Sequence, residues 1–203
     1  MRRRNAPHSF ESGEKQMRVL IASDIHGSAS FCARLMEAYG RERADRLLLL
    51  GDLLYHGPRN DLPDGYAPKK VISMLNGMKN SIMCVRGNCE AEVDQMVLEF
   101  PVMADYGVFS FGEPVIYATH GHVWNEENLP PLKQGDILLC GHTHIPKCTD
   151  HGSYVYMNPG SVSIPKEGSA HSYMIYENGV FTWKTLDGQA YMEYKTQRKG
   201  ISQ

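Results

Sequence analysis

No stretch of this chain stays apolar for the roughly 20 residues that a membrane-spanning helix needs. The basic start of the chain is not followed by an apolar segment of the secretory kind. Charge of one sign is lacking too. The 21 Lys and Arg stand against 23 Asp and Glu, giving a net charge of −2. Apart from Arg2, Arg3 and Arg4 the basic residues are scattered, so no membrane or polymeric nucleic acid is expected as a partner. Cysteine is scarce and unpatterned. Cys32, Cys84, Cys89, Cys140 and Cys148 are odd in number and form no Cys-x-x-Cys. That argues against a disulfide framework and a zinc ribbon, and for a reducing, cytoplasmic location. Internal repeats, low-complexity tracts and a Gly-x-Ser-x-Gly nucleophile elbow are also missing.

What is present fits a single globular domain: 203 residues, 42% hydrophobic and 22% charged. Residues 1–16 are polar and contain Pro7 and Gly13, and they read as a disordered tail before a domain over residues 17–203. Met17 directly precedes the first strand and is an alternative translation start. An intact mass that includes residues 1–16 would exclude that alternative.

Along this domain apolar runs end repeatedly in polar clusters. "RVLIAS" leads into Asp24 and His26, "RLLLL" into Gly51-Asp52, and "SIMCV" into Arg86-Gly87-Asn88. "PVIYAT" leads into His120-Gly121-His122, "DILLC" into His142 and His144, and "YVYM" into Asn158-Pro159-Gly160-Ser161. Between the early runs lie helical patterns. Residues 28–39 place Phe31, Leu35, Ala38 and Tyr39 on one face, with Ser28 or Ser30 as N-cap and Gly40 as stop. Pro68 opens a second helix with Val71, Leu75 and Met78 on one face, and residues 90–99 form a third with Val93, Met96 and Val97 apolar. This alternation implies parallel strands. The second half is richer in short aromatic strands, and Asn178-Gly179 is a hairpin signal. Two packed sheets with helices outside are expected. The aromatic late strands could bury an interface between copies of the chain.

A His-x-His pair such as His142 and His144 fits either a core cap or a metal ligand set when taken alone. The register of all the strand ends decides for metal, because open α/β sheets bind ligands beyond the carboxyl ends of their strands. Asp24, His26, Asp52, Asn88, His120, His142 and His144 are too many ligands for one tetrahedral ion. They fit two ions with a shared carboxylate. Mixed nitrogen and oxygen donors suit Mn, Fe, Zn or Ni rather than Ca or Mg. In an extended segment residues i and i+2 face one side, so Asp24 with His26, and His142 with His144, should each reach one pocket.

In that order "DIHG", "GD", "GNCE", "HGH" and "GHTH" resemble the calcineurin-like metallophosphoesterase superfamily. "GDLLYHGPRN", "LPDGYAPKKV", "GNCEAEVDQM" and "NPGSVSIPK" are similar to its YfcE-like bacterial phosphodiesterases. The resemblance spans about residues 17–187. It implies an α/β four-layer sandwich, two mixed sheets packed face to face and flanked by helices. It also implies a first ion on Asp24, His26, Asp52 and His144, and a second on Asp52, Asn88, His120 and His142, with Asp52 bridging and Mn²⁺ the first choice of metal. Asp52, Asn88 and His120 then serve catalysis as well. The implied reaction is hydrolysis of a small phosphodiester by a hydroxide bridging the two ions. Phosphomonoester hydrolysis at the same site is the alternative. A Vps29-like protein scaffold, which resembles this subfamily, would show eroded ligands.

Many superfamily members read Gly-Asn-His where this chain has Cys89, which puts the acid for the leaving group in doubt. His56 and His122 are candidates for that acid. Arg59 and Asn60 could hold a phosphate oxygen or equally stiffen a proline-containing loop. Cys89 is expected to face away from the metals. Glu90 reads as a helix-opening carboxylate, residues 158–161 as an ordinary turn at the edge of the site, and His171 as solvent-facing.

Overall fold

The computed structural model describes residues 17–111 and 114–196, so the expected tail, residues 1–16, lies outside the described residues. Within them, short strands lead into short helices as the alternation requires. The elements are β1 (Val19–Ala22), α1 (Ala29–Glu42), β2 (Arg46–Leu49), α2 (Pro68–Asn76), β3 (Ile82–Cys84) and α3 (Glu92–Val97). A run of strands follows: β4 (Tyr106–Ser110), β5 (Val115–Thr119), β6 (Asp136–Leu139), β7 (Pro146–Asp150), β8 (Tyr154–Pro159), β9 (Ser172–Glu177), β10 (Val180–Thr185) and β11 (Ala190–Lys195).

They form two mixed sheets. One has the order β11-β10-β9-β1-β2-β3, and the other β4-β5-β6-β8-β7. β1, β2 and β3 are parallel to one another, as are β5, β6 and β8. Alternation along each strand builds two cores at once. Leu20, Ala22, Leu47 and Leu49 pack with Leu35, Val71 and Leu75 of α1 and α2. Val19, Ile21, Leu48 and Leu50 point the other way and meet Ile116, Ile137 and Leu139 of the second sheet. A one-residue slip of β1 would exchange these faces, so burial on both sides fixes the register. The hairpin at Asn178-Gly179 forms as read. Both residues have positive φ (54° and 79°), and Glu177 pairs with Val180.

Three local expectations change. α1 does not stop at Gly40 but runs to Glu42, and Arg43 takes the left-handed C-cap conformation at φ 50°. Ser28 caps the other end, its hydroxyl accepting from the Phe31 N–H. α3 is shorter than residues 90–99, and its apolar residues are not core: Val93 and Met96 are 60% and 82% exposed. The outer face of the five-stranded sheet carries no helix among the described residues. Leu132, from the connection between β5 and β6, packs there on Leu138, Tyr154 and Tyr156 instead.

Because the parallel strands of both sheets end at one rim, the loops after β1, β2, β3, β5 and β6 converge there. That rim is the site.

Candidate metal centre

The geometry of the site begins with backbone that L-residues rarely adopt. Asp24, His26, Asp52, His142 and His144 all have positive φ, between 48° and 66°. Each such conformation costs on the order of 1 kcal/mol or more and persists only where surrounding bonds enforce it. Those bonds are visible. The loop after β1 is tied to the loop after β2 through Asp24 N–H to the Gly51 carbonyl (3.2 Å), His26 N–H to the Asp52 carbonyl (2.8 Å) and Gly27 N–H to the Leu53 carbonyl (2.9 Å). Asp24 and His26 therefore share a pocket through a turn, not through the extended i, i+2 geometry read from the sequence. The same correction holds for His142 and His144. Gly87 is required by close approach: a Cβ there would lie 2.5 Å from the Asp52 nitrogen and 2.7 Å from Glu90 Oε2.

The side chains form two groups about one atom, Asp52 Oδ2. His26 Nε2 lies 3.6 Å from it and His120 Nε2 3.4 Å. In the first group His26 Nε2 and His144 Nε2 face each other at 3.2 Å, and both approach Asp24 Oδ1, at 3.5 and 3.2 Å. In the second, His120 Nε2 is 3.1 Å from Asn88 Oδ1 and 3.3 Å from His142 Nδ1. Thus the seven residues read from the sequence come together around Asp52, and Asp24 lies close to both groups.

The chemistry of this donor set tests whether metal fits. His26 Nδ1 bonds the Tyr55 carbonyl at 2.8 Å, His120 Nδ1 that of Leu50 at 2.6 Å, and His144 Nδ1 that of Ile164 at 2.7 Å. A carbonyl only accepts, so each Nδ1 carries a hydrogen, and in the neutral ring each Nε2 turns a lone pair into the site. Two lone pairs at 3.2 Å, beside the buried Asp24 Oδ1 that has no hydrogen-bond partner, call for a cation between them. Without a cation, the imidazoles themselves must answer the two carboxylates. Burial opposes charge on Asp24 and Asp52, yet the neighbouring imidazoles of His144 and His26, and that of His120, hold both carboxylates below their usual range. Burial also opposes a charged His120, but Asp52 and Asp24 push its pKa up to about 9. Burial and the His120 charge lower His142 to about 4. The residues present fit two divalent ions.

Sequence reasoning missed the supports. Glu90 is 4% exposed and does not open a helix. Its carboxylate accepts from the backbone N–H of Asp52 (2.9 Å), Leu53 (2.7 Å) and Gly87 (2.5 Å), clamping together the loops that carry Asp52 and Asn88. Residues 158–161 are no ordinary turn. Asn158 Nδ2 donates to the Gly141 carbonyl at 2.7 Å, and Ser161 and Ser163 each donate to the Asp24 carbonyl at 3.0 Å. A buried asparagine and serines beside Gly160 were the available signal.

A cleft of about 420 Å³ opens onto His26, Asp52, Asn88, His142 and His144 and is lined in addition by Arg59, Asn60, Cys89, Thr143 and Lys166. Cys89 does not face away. Its Sγ lies within 4.8 Å of the His26 and Asp52 ligand atoms, and burial followed by the Asp52 charge pushes its thiol far up. Asn60 bonds the His56 carbonyl at 2.8 Å. His56 itself stands behind this loop, edge-on to Tyr55 and Tyr66, and does not line the cleft. His122 lies beside the second group, its ring 5.5 Å from that of His120. His171 is packed rather than solvent-facing, stacked on Phe31 at 3.9 Å.

A two-sheet sandwich whose strand ends gather two carboxylates, an amide and four imidazoles defines a metallophosphoesterase. The chain belongs to the calcineurin-like phosphoesterase superfamily, whose domain description matches residues 17–179. Among its relatives it is similar to Phosphodiesterase YfcE of Escherichia coli strain K12, at 45% identity over 174 residues, covering 86% of this chain and 95% of that protein. The solved structure of YfcE, a phosphoesterase from E. coli, superposes with a TM-score of 0.86 at 43% identity, covering 89% of this chain and all (100%) of that one. Vps29 of Chaetomium thermophilum shares the fold alone, with a TM-score of 0.58 at 14% identity over 92% of this chain and 98% of that one.

Proposed function

We propose that the protein is a metal-dependent phosphodiesterase acting on small diesters, and the observation that carries this is the convergence of two donor groups on Asp52 Oδ2. Asp24, His26, Asp52 and His144 would hold one ion, and Asp52, Asn88, His120 and His142 the other. Mn²⁺ is the first choice, with Fe, Zn or Ni compatible with the same donors. When bound, the pair supplies Lewis-acid polarisation and positive charge for the entering and departing oxygens. The chain's own contribution is preorganisation. Backbone carbonyls fix three imidazole tautomers, so the donors meet the ions without rearranging. The cleft volume suits a small ester, not a polymer.

Cys89 stands where a protonated group would serve the leaving oxygen, and a thiol held neutral by burial and Asp52 is a poor acid. This favours diesters with good leaving groups, or a proton from His122. Five unpaired cysteines favour a reducing, cytoplasmic setting.

The test is hydrolysis of bis-p-nitrophenyl phosphate beside p-nitrophenyl phosphate by metal-stripped protein after Mn²⁺ is restored, with Asp52→Asn as control. Metal-dependent turnover of the diester above the monoester, lost in the variant, is expected. Faster turnover of the monoester would move the assignment to phosphatase.

A further inference from the structure

We infer that the metal cleft carries a subsite for a second anionic group, so that its preferred substrates are phosphodiesters bearing another phosphate or carboxylate; this rests on the phosphodiesterase reading above. The charges at the metals close without such a group. Two divalent ions bring four positive charges, and Asp24 and Asp52 return two. Hydroxide and the monoanionic diester account for the rest. The charge of Glu90 is met by three backbone N–H groups. Arg59 and Lys166 then remain. Both line the cleft, where Asp52 is the one carboxylate, and neither forms an ion pair among the described residues.

Their backbones are held in place, while both side chains are exposed. Arg59 rides a closed turn. Gly57 has φ 80°, Asn60 N–H donates to the Gly57 carbonyl (3.4 Å), and the Asn60 amide donates to the His56 carbonyl (2.8 Å). That turn follows Tyr55, whose carbonyl orients His26. Lys166 rides a second turn, through Glu167 (φ 54°) and Gly168 (φ 69°). Its N–H bonds the His144 carbonyl at 3.2 Å, and the preceding Ile164 carbonyl orients the His144 ring. Each cation thus rises from a turn that adjoins the segment orienting one imidazole of the first donor group, His26 or His144. Arg86, beside the strand end that carries Asn88, is not part of the cleft lining and lies 3.9 Å from Asp105. The subsite therefore lies on the Asp24 side of the cleft, whose lining offers a guanidinium and an ammonium to an added oxyanion.

The experiment compares thymidine 5′-(p-nitrophenyl phosphate) with its 3′-phosphorylated form on the Mn²⁺-loaded protein. It also compares calorimetric binding of thymidine 5′-monophosphate and thymidine 3′,5′-bisphosphate. The 3′-phosphate should raise kcat/KM and affinity about tenfold, for two partly exposed charge pairs. The gain should shrink in 0.5 M NaCl and fall to near unity in Arg59→Gln/Lys166→Gln. A gain of less than twofold in both readouts, or a gain that survives in the double variant, overturns the subsite. Tighter bisphosphate binding without hydrolysis of either ester would sink the phosphodiesterase reading and leave the subsite standing.

Discussion

Replacing Glu90 by Gln tests whether the site is held from behind. Oε2 accepts from both Asp52 and Gly87, and Oε1 accepts from Leu53. An amide has one acceptor oxygen. In its better orientation it keeps the two bonds at Oε2 and turns an N–H₂ toward the Leu53 N–H. One buried donor is then unsatisfied, at about 1–3 kcal/mol, and the two surviving bonds lose their charge assistance. Against this, burial and the neighbouring Asp52 charge hold the Glu90 pKa above its usual range, so neutralising it relieves some repulsion. The net expectation is about 2 kcal/mol of lost stability, and a Mn²⁺ affinity lowered about 10–100-fold through the displaced Asp52 and Asn88. Urea unfolding of the metal-stripped protein reads the first, and calorimetric Mn²⁺ titration the second. Stability within about 0.5 kcal/mol of the parent, together with unchanged Mn²⁺ affinity, would refute the clamp. A loss of stability alone would limit Glu90 to folding.

Four further outcomes follow from particular contacts. Glu42, 7% exposed, accepts from Arg18 (2.7 Å), Tyr173 (2.8 Å) and Lys184 (2.9 Å). Burial would raise its pKa, but the bonds from Lys184 and Tyr173 outweigh it and hold the carboxylate below its usual value. Its stabilisation, about 2 kcal/mol, is therefore full above the unfolded pKa near 4.3 and fades as pH falls through the lower folded value. Thermal unfolding between pH 7 and pH 3 should show this acid limb in the parent and a flatter one in Glu42→Gln; parallel curves would contradict it. Gly40→Ala, at an exposed helical position with nothing within 4 Å of the added Cβ, should stabilise by about 0.5–1 kcal/mol, seen as a higher Tm. His122→Ala should slow diesters with alkyl leaving groups about 10²-fold more than p-nitrophenyl esters if His122 supplies the proton; equal effects on both would reject it. Gly87→Ala should abolish Mn²⁺ binding, because its Cβ meets Asp52 and Glu90 at once.

How much of this was legible in the sequence depended on where the cause lay. The hairpin at Asn178-Gly179 could be read because two successive positive φ values demand those residue types. The seven converging residues could be read because strand-end position is written in the apolar runs before them. Glu90 could not, since its partners are backbone N–H groups that include those of Asp52 and Leu53, nearly 40 positions away, and carry no residue signature. The helical stop at Gly40 failed for a related reason. Glycine only permits the left-handed conformation that ends a helix, and here that conformation falls at Arg43, beyond Glu42, which Lys184 and Tyr173 hold. The i, i+2 argument reached the right pocket by the wrong geometry, because the turns at His26 and His144 are held by backbone bonds to distant loops, His26 N–H to the Asp52 carbonyl and Lys166 N–H to the His144 carbonyl. Val93 and Met96 show the converse: helical periodicity marks a face, and only packing decides whether it is buried.

The central claim is that Asp52 joins two metal positions. Its most direct test is the metal content of Mn²⁺-reconstituted protein after removal of free metal, in the parent and in Asp52→Asn. The account predicts two ions per parent chain, with at least one lost in the variant. One ion per parent chain, or two retained without the carboxylate, would contradict it.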